Sequence, residues 1–529
     1  MAFLSTLKKI THRKVYFWLL LAVAVSLPTS KALMSIFPFL LLINWLWEGR
    51  LKEKFTVFRS NPSVWLLISV FGLYLLGLLW TDSLKWGIHD LKIQIPLLIF
   101  PLVIGTSEKL NFRQIKTIIL IFTASVVFAS FCSMYVWLGF SGTEIRDVRD
   151  ISLFISHIRF SLLINIVIFS LLWFVFNPKL NTSRKEKISY LAIVIWLMLF
   201  LLILKSFTGI VIFILVSLAL AFWFSFRIKH VVLRFSVYVF MLMIPVFIGA
   251  YITRSINEFY HTEEFSKEEL NAKTQLGNPY RHEPENHQLE NGHFVFLFVS
   301  EDELREAWNQ RSNFQYDSTY PEGFNKYALL RYMASLGLKK DAEGVSKLRD
   351  EDIRNIERGI PNYLFANKYS LNNRIYQTIW EFNEYKNGAS PAGSSVVQRI
   401  EYFKIAGQVV RENFWFGAGT GGYYPAYQKK YDEHPFFSNP KFRQRSHNMF
   451  LSYWVDFGLI GLLFICFAYT YPVFRERKMK SYLLLIFSLI VVLSFLNEDT
   501  LNNHDAITFF AFFFSLFLFS NYEDEALAE

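Results

Sequence analysis

Long, nearly unbroken apolar runs constrain this chain more than any other feature. The stretches 115–138, 155–176 and 231–251 each carry a single Lys or Arg and no acidic residue. A bilayer core is about 30 Å thick and a helix rises about 1.5 Å per residue, so about 20 apolar residues cross it. A soluble helix would break such runs with polar positions at helical period. The composition agrees: 53% of residues are hydrophobic, 18% aromatic and only 19% charged, far to the apolar side of a soluble domain.

About twelve spans are expected, near 15–28, 31–47, 64–80, 91–105, 115–139, 152–176, 188–204, 207–226, 231–251, 449–471, 481–497 and 505–520. The region 188–226 is too long for one helix, and Lys205-Ser206-Phe207-Thr208-Gly209 supplies charge and glycine for a turn. The start is basic but shows no small-residue cleavage site, so the first span is read as retained. The expected fold is an all-α polytopic membrane protein. Residues 1–251 form a bundle of about nine spans, 252–447 a large, mostly helical loop domain, and 448–529 about three further spans.

Alternate short connections are rich in Lys and Arg, as in Lys8, Lys9, Arg13 and Lys14, then Arg50, Lys52, Lys54 and Arg59, and again Arg475, Arg477, Lys478 and Lys480. The opposite connections hold few, among them Lys31, Lys85, Arg146 and Arg149. Basic loops stay in the cytoplasm, which puts both termini inside and the 253–446 insert outside. The net charge of +10, from 54 basic and 44 acidic residues, is then a topology signal. It is not a contiguous basic groove, and nucleic acid is excluded as a partner.

Cys132 and Cys466 both fall in expected spans and read as packing residues. No zinc spacing, nucleotide-binding glycine loop or GxSxG elbow is present. Within the insert, 255–315 is acidic and polar with one strand-like run at 294–299, and 324–386 has helical periodicity. A linker at 387–393 precedes a helix from about 396 to 411, with Ser394 or Ser395 placed to cap it. The turn Phe416-Gly417-Ala418-Gly419-Thr420-Gly421-Gly422-Tyr423 follows, then a basic segment ending at His447-Asn448.

Several residues are candidates for chemistry. Arg159 lies about two turns inside the outer end of an apolar span. An intramembrane Arg is a functional candidate by default, and the alternative is an Arg that snorkels to the headgroups. Lys205 alone would be an interface lysine, Arg399 an exposed helix charge, and Arg443 and Arg445 a solvated stripe. Their expected convergence with Arg159 at one membrane face instead suggests a phosphate or diphosphate site. His447, at the membrane boundary, is suited to accept a proton from a hydroxyl, although a lone interface His is often structural. Gly417, Gly419, Gly421 and Gly422 permit positive φ, and their amides are candidates to hold an anion, although many tight turns look this way.

Several runs together resemble the O-antigen ligase and O-antigen polymerase superfamily. They are Arg399-Ile400-Glu401-Tyr402-Phe403, Asn413-Phe414-Trp415-Phe416-Gly417-Ala418-Gly419-Thr420-Gly421-Gly422-Tyr423, Ser446-His447-Asn448-Met449-Phe450-Leu451 and Phe457-Gly458-Leu459-Ile460-Gly461. The end, Phe495-Leu496-Asn497-Glu498-Asp499-Thr500-Leu501, is similar to that family's last outer turn, and the middle of the insert to the version common in Bacteroidota. The resemblance implies a GT-C-like, metal-independent glycosyltransferase of a bacterial inner membrane, with no cofactor. It would take a glycan from an undecaprenyl diphosphate carrier at the periplasmic face and pass it to an acceptor hydroxyl such as lipid A-core. By the same resemblance His447 matches the histidine that activates the acceptor, and Arg399 the outer-loop arginine on the diphosphate. Arg159, Lys205, Arg443, Arg445, Asn448, Gly417, Gly419, Gly421 and Glu498 are expected to bind donor or glycan.

One departure stands out. Many members carry Ser-Arg at the outer start of a span, whereas Ser206-Phe207-Thr208-Gly209 has Phe in that place, leaving Lys205 or Arg159 to supply the charge. The motifs do not separate a ligase from a polymerase or from a transferase acting on protein, because these share the donor. A transporter of the lipid-linked glycan would spread its charges through the membrane midplane, and this chain keeps them near the outer face.

Overall fold

In the computed structural model the chain is predominantly helical. The structure describes residues 2–142, 148–262, 267–283, 285–286, 288–318, 323–366, 371–391, 394–437 and 439–521. Arg146, and Ala392 and Gly393 of the expected linker, lie outside these. Two compact units form, Met1–Arg227 with Arg399–Glu529, and Ile228–Gln398.

The first unit begins with α1 (Ala2–Thr29), α2 (Lys31–Glu48), α3 (Leu51–Ser60), α4 (Pro62–Leu76), α5 (Leu84–Ile93), α6 (Pro96–Thr106), α7 (Phe112–Trp137), α8 (His157–Phe176), α9 (Arg184–Ile203) and α10 (Phe207–Ser225). The second holds α11 (Val231–Tyr260), α12 (Lys267–Leu270), α13 (Glu301–Arg311), α14 (Lys326–Ser335), α15 (Ala342–Ser346), α16 (Asp350–Glu357) and α17 (Leu371–Lys386). Helix α18 (Ser395–Glu412) leads back into the first unit, which ends with α19 (Tyr423–Asp432), α20 (Met449–Arg475), α21 (Tyr482–Phe495) and α22 (His504–Phe519).

Each expected span falls on a helix. Among the described residues nine helical stretches are long and apolar enough to cross a membrane, and α21 and α22 are shorter apolar helices. The chain is therefore an all-α polytopic membrane protein. The break inside 188–226 comes at Leu204–Ser206, where Lys205 takes a left-handed φ of 49° and the Ser206 hydroxyl caps α10 through the Gly209 amide at 3.4 Å.

The short helix α22 sits in the middle of the first unit. Nearly all of its residues are buried, as expected of a helix that is apolar all round. Its phenylalanines interlock edge-to-face with neighbours: Phe122 on Phe513 with ring centroids 4.9 Å apart, Phe100 on Phe512 at 5.5 Å and Phe487 on Phe509 at 5.5 Å. Such pairs favour offset or T-shaped geometry.

Helix α20 is not continuous. Gly458 has φ 67° and ψ −175°, so the helical ladder opens there. The freed groups meet the glycine-rich turn. Ala418 N–H donates to Val455 O at 2.8 Å, Gly419 N–H to Asp456 O at 2.9 Å, Leu459 N–H to Phe414 O at 2.8 Å and Ile460 N–H to Trp415 O at 3.3 Å. A Cβ on Gly458 would overlap the Trp415 carbonyl, and one on Gly417 the Asp456 carbonyl. The same turn reaches α4, where the Thr420 amide donates to Gly77 O at 3.1 Å and its hydroxyl to Tyr74 O at 2.6 Å.

In the second unit Trp308, Phe324, Leu329, Tyr332, Met333 and Ile356 form a separate core. The strand expected at 294–299 is reduced to β2 (His293–Phe294), paired antiparallel with β1 (Leu289–Glu290). The remaining backbone has other partners: Lys340 Nζ takes Phe294 O at 2.8 Å, and Val299 pairs with Arg281. Ser394 caps α18 by accepting the Val397 amide at 3.3 Å. A buried ion pair ties the core together. Arg331 Nε lies 2.6 Å from Glu290 Oε1, Asn362 donates to Glu290 Oε2 at 2.6 Å, and the Trp380 ring covers the guanidinium at 4.0 Å. Burial raises the Glu290 pKa to about 7, against the lowering pull of Arg331 and Asn362.

Two outcomes follow from these contacts. Gly458→Ala and Gly417→Ala should each lower the Tm of the detergent-solubilised protein, by about 1–4 °C given 1–3 kcal/mol for left-handed backbone alone and about 2.1 cal/mol/K of unfolding entropy per residue. Gly407→Ala, which meets nothing within 4 Å, should leave it unchanged. Arg331→Met strands the Glu290 carboxylate and should cost the second unit roughly 3–5 kcal/mol, read by denaturant unfolding.

Candidate functional site

The glycine turn fixes where the chain goes next. Directly after it, α19 places Tyr423, Tyr427 and Tyr431 four residues apart on one face. Arg445 lies over Tyr423, its guanidinium carbon 3.3 Å from the ring centroid. It also sits 3.3 Å from Asp90 Oδ2 and 3.7 Å from Asp456 Oδ2. Burial works against its charge, but Asp456, Tyr423, Asp90 and Asp499 more than offset this and push its pKa upward. Arg445 is therefore a fixed cation that joins α5, α19 and α20.

His447 follows at the mouth of α20 with a left-handed φ of 52°. A non-glycine residue holds that conformation only when its surroundings impose it. Asp499 does so, accepting the His447 amide at 3.0 Å, the Asn448 amide at 3.2 Å and the Ser452 hydroxyl at 2.5 Å. Asn448 caps α20 through the Leu451 amide at 3.0 Å. The imidazole Nδ1 lies 3.6 Å from Glu498 Oε2, an ion-pair distance rather than a hydrogen bond. Glu498 Oε1 is in turn 3.3 Å from Arg399. Arg399 also donates to Asn497 at 2.9 Å, and Asn497 donates to Thr208 at 2.9 Å. Tyr402, one turn along α18 from Arg399, sets its ring 5.7 Å from that of His447, and burial pushes its phenol up to about 12.

A cavity of about 410 Å³ lies here, lined among others by His89, Asp90, Arg159, Tyr424, Tyr427, Arg443, Arg445, His447, Glu498 and Asp499. Arg159 lies at the start of α8 and pairs with Asp505 at 3.2 Å, its side chain 25% exposed. Arg443 holds Asp432 at 2.7 Å and Gln428 at 2.6 Å.

The structure thus brings Arg159, Arg443, Arg445, His447 and Glu498 to one cavity. Arg399 does not line it but touches Glu498. Lys205 stays at the α9–α10 turn, outside the lining. Phe207, in the place of the family's arginine, is 73% exposed, and the Ser206–Gly209 turn packs on α8, with Ser206 Oγ donating to Ser161 at 3.0 Å. Gly417, Gly419 and Gly421 have positive φ, but they pack on backbone. The amides of Gly417 and Gly419 go to Asn413 O and Asp456 O at 2.9 Å each. These two amides are held by carbonyls rather than turned toward an anion, a correction to the sequence reading.

Sequence reasoning missed Asp90, Asp456, Asp499 and His89. Asp456 had a signal, since an ionisable residue within an apolar span is a functional candidate by default, whereas Asp90 sits beside Lys85, His89 and Lys92, just before the span expected at 91–105. Asp499 had none apart from its neighbour Glu498.

Residues 359–466 match a family model described as O-antigen ligase. The matched segment carries Arg399, the glycine turn, Arg443, Arg445 and His447, while Arg159 and Glu498 lie outside it. No curated protein matches the chain. The match supports a glycosyltransferase-like function of the O-antigen ligase or polymerase type. The resemblance read from the sequence and the matched segment agree: residues 359–466 of this polytopic membrane protein are similar to the O-antigen ligase family.

Proposed function

We propose that the chain transfers a glycan from an undecaprenyl diphosphate carrier to an acceptor hydroxyl, lipid A-core in the leading reading, at the periplasmic face of a bacterial inner membrane. The observation that carries this is the pairing of His447 with Glu498 at a cavity also lined by Arg159 and Arg443. A carboxylate 3.6 Å from Nδ1 favours a proton on that nitrogen, which leaves Nε2 to accept one. The acceptor oxygen attacks the anomeric carbon as His447 takes its proton. The bond from that carbon to the phosphate oxygen breaks, and the lipid diphosphate leaves with the electron pair. Arg159 and Arg443 then face the departing negative charge, where cations contribute most. Arg399 acts through Glu498, holding the carboxylate toward His447.

Three variants test this in membranes or with purified donor. His447→Ala should lower transfer by about 10²–10⁴-fold while the protein stays in the membrane, and normal surface glycan would sink the role. Glu498→Gln and Arg399→Ala should each lower kcat, and the double variant should cost no more than the worse single, because both act on one imidazole. Strict additivity would separate them. Deletion followed by gel analysis of surface glycans identifies the acceptor class. Loss of all long chains with carrier-bound polymer accumulating means a ligase, and a single-repeat ladder means a polymerase.

A further inference from the structure

A second polar cavity lies at the other end of the bundle helices. The first cavity takes His89 and Asp90 from the start of the 84–106 stretch, and the second takes Thr106 and Glu108 from its end. It has a volume of about 320 Å³. Its charged lining is balanced, with Arg13, Arg50 and Lys54 against Glu48, Glu53 and Glu108.

The pairs differ in burial. Lys54 is only 6% exposed. It lies 2.8 Å from Glu48, donates to the Trp45 carbonyl and sits 4.7 Å over the Trp45 ring. The pairs at the rim, Arg13 with Glu108 at 3.1 Å and Arg50 with Glu53, are about half exposed, and exposed pairs of that kind contribute little and exchange readily. One buried polar group is unsatisfied. The Tyr16 hydroxyl, on the cavity wall, has no hydrogen-bond partner among the described residues, although Tyr16 is only 7% exposed. Such groups are normally bonded.

An apolar groove adjoins the cavity. Trp45 and Lys54 also line an apolar groove of about 490 Å³ that continues over Phe55, Phe58 and Leu102. Trp45 is fixed as the shared wall by its Nε1 donating to Thr106 at 2.9 Å. Phe55 is 63% exposed on α3. A balanced polar cavity beside an apolar groove is complementary to an amphiphile whose head carries both signs. A net anion would find no excess of cations. A head with one phosphate and one primary ammonium would find both, with carboxylates able to accept the ammonium N–H bonds and the Tyr16 hydroxyl free to donate.

We propose that this cavity and groove bind the headgroup and one acyl chain of a zwitterionic aminophospholipid of the phosphatidylethanolamine type. The test uses the full chain purified in detergent. Phosphatidylethanolamine and phosphatidylglycerol with matched acyl chains are added, and bound lipid is counted by native mass spectrometry. The expected result is one phosphatidylethanolamine retained per chain, preferred by about tenfold or more over phosphatidylglycerol. Val57→Trp, which fills the cavity from its exposed side, and Phe55→Ser, which removes the groove wall, should each reduce that retention about tenfold at unchanged helix content. If Val57→Trp fails to fold, Phe55→Ser carries the test by itself. Equal retention of phosphatidylglycerol, unchanged retention in Phe55→Ser, or binding of free phosphoethanolamine as tight as that of the lipid would overturn the proposal.

Discussion

Four backbone hydrogen bonds hold the break in α20, and the arrangement of the cavity depends on them. A membrane helix that opens exposes amides and carbonyls that lipid cannot satisfy, and each costs several kcal/mol. Here the 414–419 segment supplies both kinds of partner, with Ala418 and Gly419 donating to Val455 and Asp456 while Phe414 and Trp415 accept from Leu459 and Ile460. The exchange requires close backbone approach on both sides. That is why Gly417 and Gly458 take positive φ at places where a Cβ would overlap the opposite chain.

This splice positions the charges. With the turn locked into α20 and α4, α19 must start beside α5, and Tyr423 comes to lie under Arg445. Opening the helix after Asp456 leaves that carboxylate next to Arg445, and Asp90 closes the cluster from α5. A few residues on, Asp499 collects the amides of His447 and Asn448, which fixes the direction in which α20 begins. The imidazole then faces Glu498. Packing of backbone on backbone thus sets the geometry of the proposed proton acceptor, although none of the glycines involved carries a functional group.

Much of this was legible in the residues. The spans were readable because lipid imposes one rule on every helix that crosses it, and the turn at Lys205 was readable because charge and glycine interrupt the rule. Arg159, Arg443, Arg445 and His447 were singled out as polar groups near an apolar boundary. Their partners were harder to see. Asp90 is 355 residues from Arg445, and Asp505 is 346 from Arg159, and no local pattern links such pairs. The glycine turn was read as an anion cradle because glycines permit that use. The amides of Gly417 and Gly419 instead satisfy carbonyls of Asn413 and Asp456.

The sequence by itself determined the membrane class, the helical fold, the helix break at Lys205 and the residue types near the apolar boundary. These follow from local composition and from the solvent each segment must meet. Only the tertiary structure decided which cation has which carboxylate, that Arg399 reaches Glu498 rather than the cavity, and that Phe207 is exposed. Those outcomes depend on which helices pack together and on how the opened backbone of α20 is satisfied, and both are set by contacts between segments far apart in the chain.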